Sequence, residues 1–421
     1  MRIEAESADA LYDRALTKLR IVDCPASRQI TVRAAARDDL GNRWESFAEF
    51  ATNADGDVDL ALTAPSAGTY HVADAMGLFW SMQLDPAVEA RAPFVKTNAD
   101  PVVVTIMAEL DGKPVTSIEL TRRYLADQIV RGDIDDSNLV GAFFHHTSEA
   151  RPGVLLLGGS GGGMSIEHPA LLASHGYSVL SLAYFAMPGL PQHLSQIPLE
   201  YFGRAVAWMR KHPAVMPGSL AVIGASRGGE LALLLGATFA EITAVVGYVP
   251  SGVGWAGINT TGGPPGASWT YRNAPIPFVR TAPSDLSAWE KRPVALTPMF
   301  LSQMKDPAEL DYAAIAVERI NGPILMFSGT DDQMWPSLNL ADLAIQRLIA
   351  HDFKHPYEHI SYAGAGHYIR YPYYPVIDEI FHPVVKAPMA LGGSPEANHV
   401  ANLDSWLKCL AFLQRHLGGA K

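Results

Sequence analysis

From about residue 150 onward, short and almost wholly apolar runs alternate with amphipathic ones, and this pattern limits the fold more than any other feature of the chain. PGVLLLGG, YSVLSLAYF, SLAVIGAS, ITAVVGYVP, PILMFSGTDD and YEHISYAGAGH are the strand-like runs. HPALLASHG, PLEYFGRAVAWMRKH, GGELALLLGATF, LADLAIQRLIAHD and LDSWLKCLAFLQRHL read as helices between or after them. A strand that is apolar along its whole length has to be buried on both faces, and a helix between two strands lets the second pair parallel with the first. Residues 131–421 are therefore predicted to form a mostly parallel sheet covered by helices on both faces. Before residue 140 the pattern changes to alternating segments such as QITVRAAARD, RWESFAEFAT, PVVVTIMAELDG and VTSIELTRRYL. They are separated by turn chemistry, as in Asp38-Asp39-Leu40-Gly41-Asn42 and Asn53-Ala54-Asp55-Gly56. This spacing predicts an immunoglobulin-like β-sandwich over residues 1–130. A stretch at about 251–321, rich in Pro, Gly and Trp and without alternation, is read as a lid over whatever site the sheet carries.

Composition narrows the classes of function. Of 421 residues, 48% are hydrophobic and 18% charged, the balance of a packed protein rather than a disordered one. Lys and Arg number 32 against 43 Asp and Glu, a formal net charge of −11 with no basic run. Nucleic acid and anionic membrane are thus poor partners, although a small phosphorylated ligand needs only a local basic rim. Two cysteines, Cys24 and Cys409, are too few for a disulfide framework or a zinc-ligand spacing. No run approaches the ~18 apolar residues of a membrane span, and the first residues lack the apolar core of a signal peptide. The expectation is a cytoplasmic protein. Nothing in the sequence signals a cofactor or fixes an oligomeric state.

The chemistry centres on Gly224-Ala225-Ser226-Arg227-Gly228. G-x-S-x-G alone arises by chance in roughly one chain in five of this size and glycine content. Its place makes it specific: it follows the strand LAVI and opens the helix GELALLLGA, as a strained nucleophile elbow must. A serine hydroxyl is a weak nucleophile and needs a base with a third group behind it. The strand PILMFSG ends at Gly329-Thr330-Asp331-Asp332, where such a third group belongs. Asp332 is preferred because Gly-x-x-Asp with Pro336 four residues later fits the usual spacing, and Asp331 stays open as the alternative. His367, in Ala363-Gly364-Ala365-Gly366-His367-Tyr368, follows the last strand and is the expected base. Serine, acid and histidine in that order is the chain order of the α/β-hydrolase fold. Gly158-Gly159-Ser160-Gly161-Gly162-Gly163 after the strand VLLL leaves backbone N–H groups unobstructed. The N–H groups of Arg227 and Ser160 are the expected oxyanion hole. The same glycine run lacks the Lys-Ser/Thr of a phosphate loop, so nucleotide binding is not favoured. His351, His355 and His359 are spaced by four, but Pro356 interrupts them and His359 falls in a strand, so no metal site is expected. His382 and His399 are weaker candidates for the base.

With these residues in place, the chain resembles the acyl-CoA thioesterases and the bile acid-CoA:amino acid N-acyltransferases over nearly its whole length. The resemblance rests on Gly68-Thr69-Tyr70, Met76-Gly77-Leu78-Phe79-Trp80-Ser81, Ile197-Pro198-Leu199-Glu200-Tyr201-Phe202, Ala207-Trp208, Ser268-Trp269-Thr270-Tyr271 and Ile276-Pro277-Phe278. It continues through Asp331-Asp332-Gln333-Met334-Trp335-Pro336-Ser337, Gly366-His367-Tyr368-Ile369 and Pro372-Tyr373. It assigns the acid to Asp332 and implies a small-molecule acyl thioester as substrate. Hydrolases of this family carry Ser at the nucleophile and amino-acid-conjugating members carry Cys; this chain has Ser226. Where the family often has Lys-Gly-Ala-Glu, the chain has Arg227-Gly228-Gly229-Glu230. It has no C-terminal Ser-Lys-Leu address. Acyl-CoA hydrolysis through a Ser226 acyl-enzyme is therefore expected. Acyl transfer to an amine or alcohol, or carboxylesterase or peptidase activity, are the alternatives. Arg272, Arg280, Lys291 and Arg292 are candidates for CoA phosphates, and Trp255, Trp269, Phe278 and Met299 for an apolar pocket.

Overall fold

The computed structural model describes residues 1–88, 91–258, 266–283 and 286–418. The expected lid therefore lies outside the described residues at 259–265 and 284–285.

The N-terminal part is built from strands whose alternate residues are buried. Gln29–Arg37 and Arg43–Ala51 pair antiparallel, and each buries every second side chain. They lie in a sheet with Val102–Leu110, Lys113–Arg123, Asp9–Leu11 and Ala67–Gly68, while Gln83–Leu84 pairs on the side of Arg43–Ala51. A second sheet of Arg2–Ala5, Leu19–Val22 and Val58–Asp59 shares its buried residues with the first.

The C-terminal part holds a sheet of eight described strands: β1 (Ile129–Gly132), β2 (Val140–His146), β3 (Arg151–Leu157), β4 (Ser178–Ala183), β5 (Val215–Ala225), β6 (Ala244–Tyr248), β7 (Ile324–Gly329) and β8 (Tyr357–Tyr362). Their spatial order is β1-β2-β4-β3-β5-β6-β7-β8. The pairs β1/β2 and β2/β4 are antiparallel and the rest parallel. Every residue of β4, β6 and β7 is buried, which is why these runs are apolar throughout rather than alternating. β1 begins just before the expected boundary at residue 130 and already belongs to this sheet. The helices α1 (Glu167–Ala173), α2 (Leu199–Lys211), α3 (Arg227–Thr238), α4 (Ser337–Ala350) and α5 (Pro395–Leu417) cover its faces. Among the described residues no helix is long and apolar enough to cross a membrane.

The two parts share one continuous core. Tyr12 and Tyr124 stack at 4.9 Å, and Tyr371 meets both edge-on. The Tyr374 hydroxyl donates to the Phe94 carbonyl at 2.7 Å. This seam fixes residues 93–96 of the N-terminal part against the loop that follows His367.

Candidate active site

Ser226 stands between β5 and α3 with φ 57° and ψ −122°, a left-handed conformation that costs a residue with a Cβ on the order of 1–3 kcal/mol. Its neighbours hold it there. The Ser226 N–H donates to the Tyr248 carbonyl at 2.8 Å, and its carbonyl accepts from Gly229 N at 2.8 Å and Glu230 N at 3.0 Å. The two flanking glycines are sterically required. A Cβ at Gly224 would fall on the Gly228 carbonyl, and one at Gly228 on the carbonyls of Gly158 and Leu157. As the first residue of α3, Arg227 has an N–H that the helix cannot satisfy, at the end where the helix dipole favours negative charge.

Asp332 lies three residues past the end of β7 and is buried. Its Oδ2 accepts from Nδ1 of the buried His367 at 2.8 Å. Its Oδ1 accepts the backbone N–H groups of Met334 (3.0 Å) and Trp335 (3.1 Å). Asp331 is spent on the loop: its Oδ1 accepts from Gln333 Nε2 at 2.6 Å and its Oδ2 from Gly393 N at 3.0 Å. Trp335 presents its ring edge-on to His367, with centroids 6.0 Å apart.

Ser226, His367 and Ser160 line one cavity of about 400 Å³, together with Gly158, Gly159, Gly161 and Gly162. Among the described residues no hydrogen bond joins the Ser226 hydroxyl to His367; such bonds commonly tighten only when substrate is bound. On the glycine-rich turn, a Cβ added at Gly159 would sit 3.2 Å from Ser226 Cβ. Of the other histidines, His359 is bound to Ser328 Oγ (2.8 Å) and Asp342 (3.0 Å), and His399 stacks on Trp80 at 4.6 Å. Among the described residues no cluster of His, Cys, Asp and Glu could hold a metal ion.

The walls of this cavity differ from what the sequence suggests. No described residue of 251–321 lines it. Trp255 and Trp269 instead turn into the core beside the elbow. Met299 packs on the cluster of Val294 and Leu296. The cavity walls include Pro93–Lys96 and Ile380, His382, Pro383 and Leu391, the last four in and beside a hairpin of Glu379–His382 and Ala387–Ala390. The expected basic rim is also elsewhere. Arg280 pairs with Glu309 and Arg292 caps the carbonyls of Trp289 and Lys291. The cations at the cavity are Lys96, bound to Asp39 at 2.6 Å, and Arg370, bound to Glu167 at 2.6 Å.

The Arg227 side chain points away from the cavity. Its guanidinium donates to the Trp255 carbonyl at 3.0 Å and to Ser268 Oγ, and pairs with Glu230 at 3.2 Å. Glu230 in turn accepts from Trp269 Nε1 at 2.8 Å. This buried pair ties Trp255, Ser268 and Trp269 to the elbow. Burial pushes the Glu230 carboxyl up, and the Arg227 charge opposes that. Arg227→Met would strand the carboxylate, and is expected to cost about 3–5 kcal/mol of stability in urea unfolding. Replacing Glu230 as well, by Leu, is expected to return much of that loss.

A strained serine at a strand–helix elbow, in a sheet of this order, with a buried Asp–His pair at the same cavity, defines an α/β-hydrolase. The chain belongs to the acyl-CoA thioester hydrolase/BAAT family. Residues 15–136 match the model described as "Acyl-CoA thioester hydrolase/BAAT N-terminal region", and residues 197–419 match "BAAT / Acyl-CoA thioester hydrolase C terminal". Human acyl-coenzyme A thioesterase 1 is 28% identical over 400 residues, covering 93% of this chain and 90% of that one. Mouse acyl-coenzyme A thioesterase 6 is 30% identical over 403 residues, covering 93% and 91%. Among solved structures, a puromycin-hydrolyzing peptidase of Mycobacterium tuberculosis covers 92% of this chain and 54% of its own at 15% identity, with a TM-score of 0.47.

Proposed function

We propose that this enzyme hydrolyses acyl-CoA thioesters through an acyl-enzyme on Ser226, with His367 as general base and Asp332 as its orienting acid. The observation that carries the reading is the 2.8 Å bond from His367 Nδ1 to Asp332, held at the cavity that Ser226 also lines, in a chain of this family. With Nδ1–H donating to Asp332, Nε2 is left to take the Ser226 proton as Oγ attacks the thioester carbonyl. The tetrahedral oxyanion is taken up by the N–H groups of Arg227 and Ser160. Collapse expels the CoA thiolate, which needs little protonation because a thiol has a pKa of about 8.5. His367 then activates water to cleave the oxoester. The substrate class follows from the names of the relatives, which are acyl-coenzyme A thioesterases.

The test is a panel of acyl-CoAs, with and without glycine, taurine and simple alcohols, read by thiol release and product mass. Free acid is expected as the main product throughout. Amide or ester as the main product would make the enzyme a transferase. Turnover of nitrophenyl esters with no thiol released from any acyl-CoA would make it an esterase.

A further inference from the structure

A second histidine reaches the cavity over Ser226. His382 is buried at the end of the first strand of the Glu379–His382/Ala387–Ala390 hairpin and lines the same cavity as Ser226 and His367. Its Nδ1 accepts two backbone N–H groups of its own turn, from Val384 at 3.3 Å and Val385 at 3.1 Å. A ring nitrogen that accepts carries no proton. Burial, and then the charge of His367, pushes the His382 pKa down to about 4, so the ring is neutral at neutral pH. Its single proton is therefore on Nε2, as the hydrogen-bond network requires. Nε2 lies 3.0 Å from Ser160 Oγ. The histidine must donate and the hydroxyl oxygen must accept. The proton of Ser160 is thereby turned away from His382, and among the described residues Oγ has no other partner. Ser160 follows Gly159, whose backbone lies against the nucleophile.

We infer that His382 is a positioning residue: by donating from Nε2 to Ser160 Oγ, it directs the Ser160 hydroxyl proton toward the oxyanion formed when Ser226 is acylated. Ser160 then contributes a side-chain donor beside its backbone N–H, and the hydrogen-bonded hairpin is part of the oxyanion hole. This rests on Ser226 being the nucleophile. No proton leaves either residue during the reaction; the hydroxyl changes only the strength of its hydrogen bond as charge develops.

The experiment uses a fluorophosphonate, since it needs no knowledge of the natural acyl group. Ser226 gives its proton to His367 as Oγ forms the new P–O bond, the P–F bond breaks, fluoride leaves, and the phosphoryl oxygen takes the oxyanion's place. Peptide mapping of the labelled wild type checks Ser226 itself: a label elsewhere would overturn the nucleophile and this inference with it. With Ser226 labelled, Ser160→Ala is expected to slow inactivation on the order of 10²-fold, the effect of losing one oxyanion donor. It should lower kcat for acyl-CoA by a similar factor with KM little changed. His382→Ala should show much of the same loss. His382→Gln, whose amide nitrogen can stand in for Nε2, should recover most of it. In the Ser160→Ala background, His382→Ala should add less than twofold. Full reactivity of Ser160→Ala, or losses from the two alanine variants that multiply, would overturn the inference. Ser160→Ala removes one oxygen only, so its full reactivity would overturn the inference even where His382→Ala fails to fold, and His382→Gln then reads the part of the histidine.

Discussion

Ser226→Ala is expected to lower kcat by about 10⁴–10⁶-fold on any acyl substrate the enzyme accepts, with the fold unchanged. The size follows from the chemistry: without Oγ no acyl-enzyme forms, and only water oriented by the remaining groups can attack. The fold should survive because the serine's place is held by its backbone, through the bonds to Tyr248, Gly229 and Glu230. Alanine keeps the Cβ, so the strain of the positive φ is the same in both proteins and the melting temperature should stay within a few degrees. Single-turnover assays with intact-mass detection give the second check. Wild type should pass through a mass increase of one acyl group on Ser226, and the alanine variant should show none. Retention of even a tenth of wild-type turnover would remove Ser226 from the role of nucleophile.

The residues proposed for chemistry were readable because each sits where a strand ends and glycine follows or precedes it. Periodicity locates the ends of β5, β7 and β8, and the hydrolase chain order says what to look for at each. The structure brings Ser226, Asp332 and His367 to one place from positions far apart in sequence. What surrounds them was not readable, for a physical reason. Part of the cavity wall comes from Pro93–Lys96 and from the short hairpin bearing His382, neither of which has a period long enough to register. The tryptophans expected there, Trp255 and Trp269, are instead buried beside the ion pair beneath the elbow: the Trp269 indole N–H and the Trp255 backbone N–H donate to Glu230, and the Trp255 indole N–H donates to Ser251 Oγ. A signal was present in hindsight. Arg227 and Glu230 are three apart at the start of an otherwise apolar helix, where charges are buried only if paired. The N-terminal strands were readable as strands, but their docking on the hydrolase sheet through Tyr12, Tyr124 and Tyr371 is a tertiary contact with no local signature.

The choice between the two adjacent aspartates gives the second large effect. Asp332→Asn is expected to lower kcat by about 10³–10⁴-fold. An amide could in principle turn its oxygen toward His367 and leave the ring as it was. Here it cannot do so freely, because Oδ1 already accepts the backbone N–H groups of Met334 and Trp335. The amide oxygen is needed there, so the NH₂ group faces His367 Nδ1. Two donors cannot share that contact, so the ring moves its proton to Nε2, the nitrogen that has to accept from Ser226. Asp331→Asn has no such consequence. That side chain accepts from Gln333 and from the Gly393 N–H, and asparagine can keep at least one of these bonds. It is expected to cost about 1 kcal/mol of stability and leave kcat within a few fold. Both variants can be read in one assay, with fluorophosphonate labelling of Ser226 as a second measure, since the base is needed there too. If Asp331→Asn proves the inactive variant and Asp332→Asn the active one, the acid is Asp331, and the bond from His367 to Asp332 is a resting contact rather than the catalytic one.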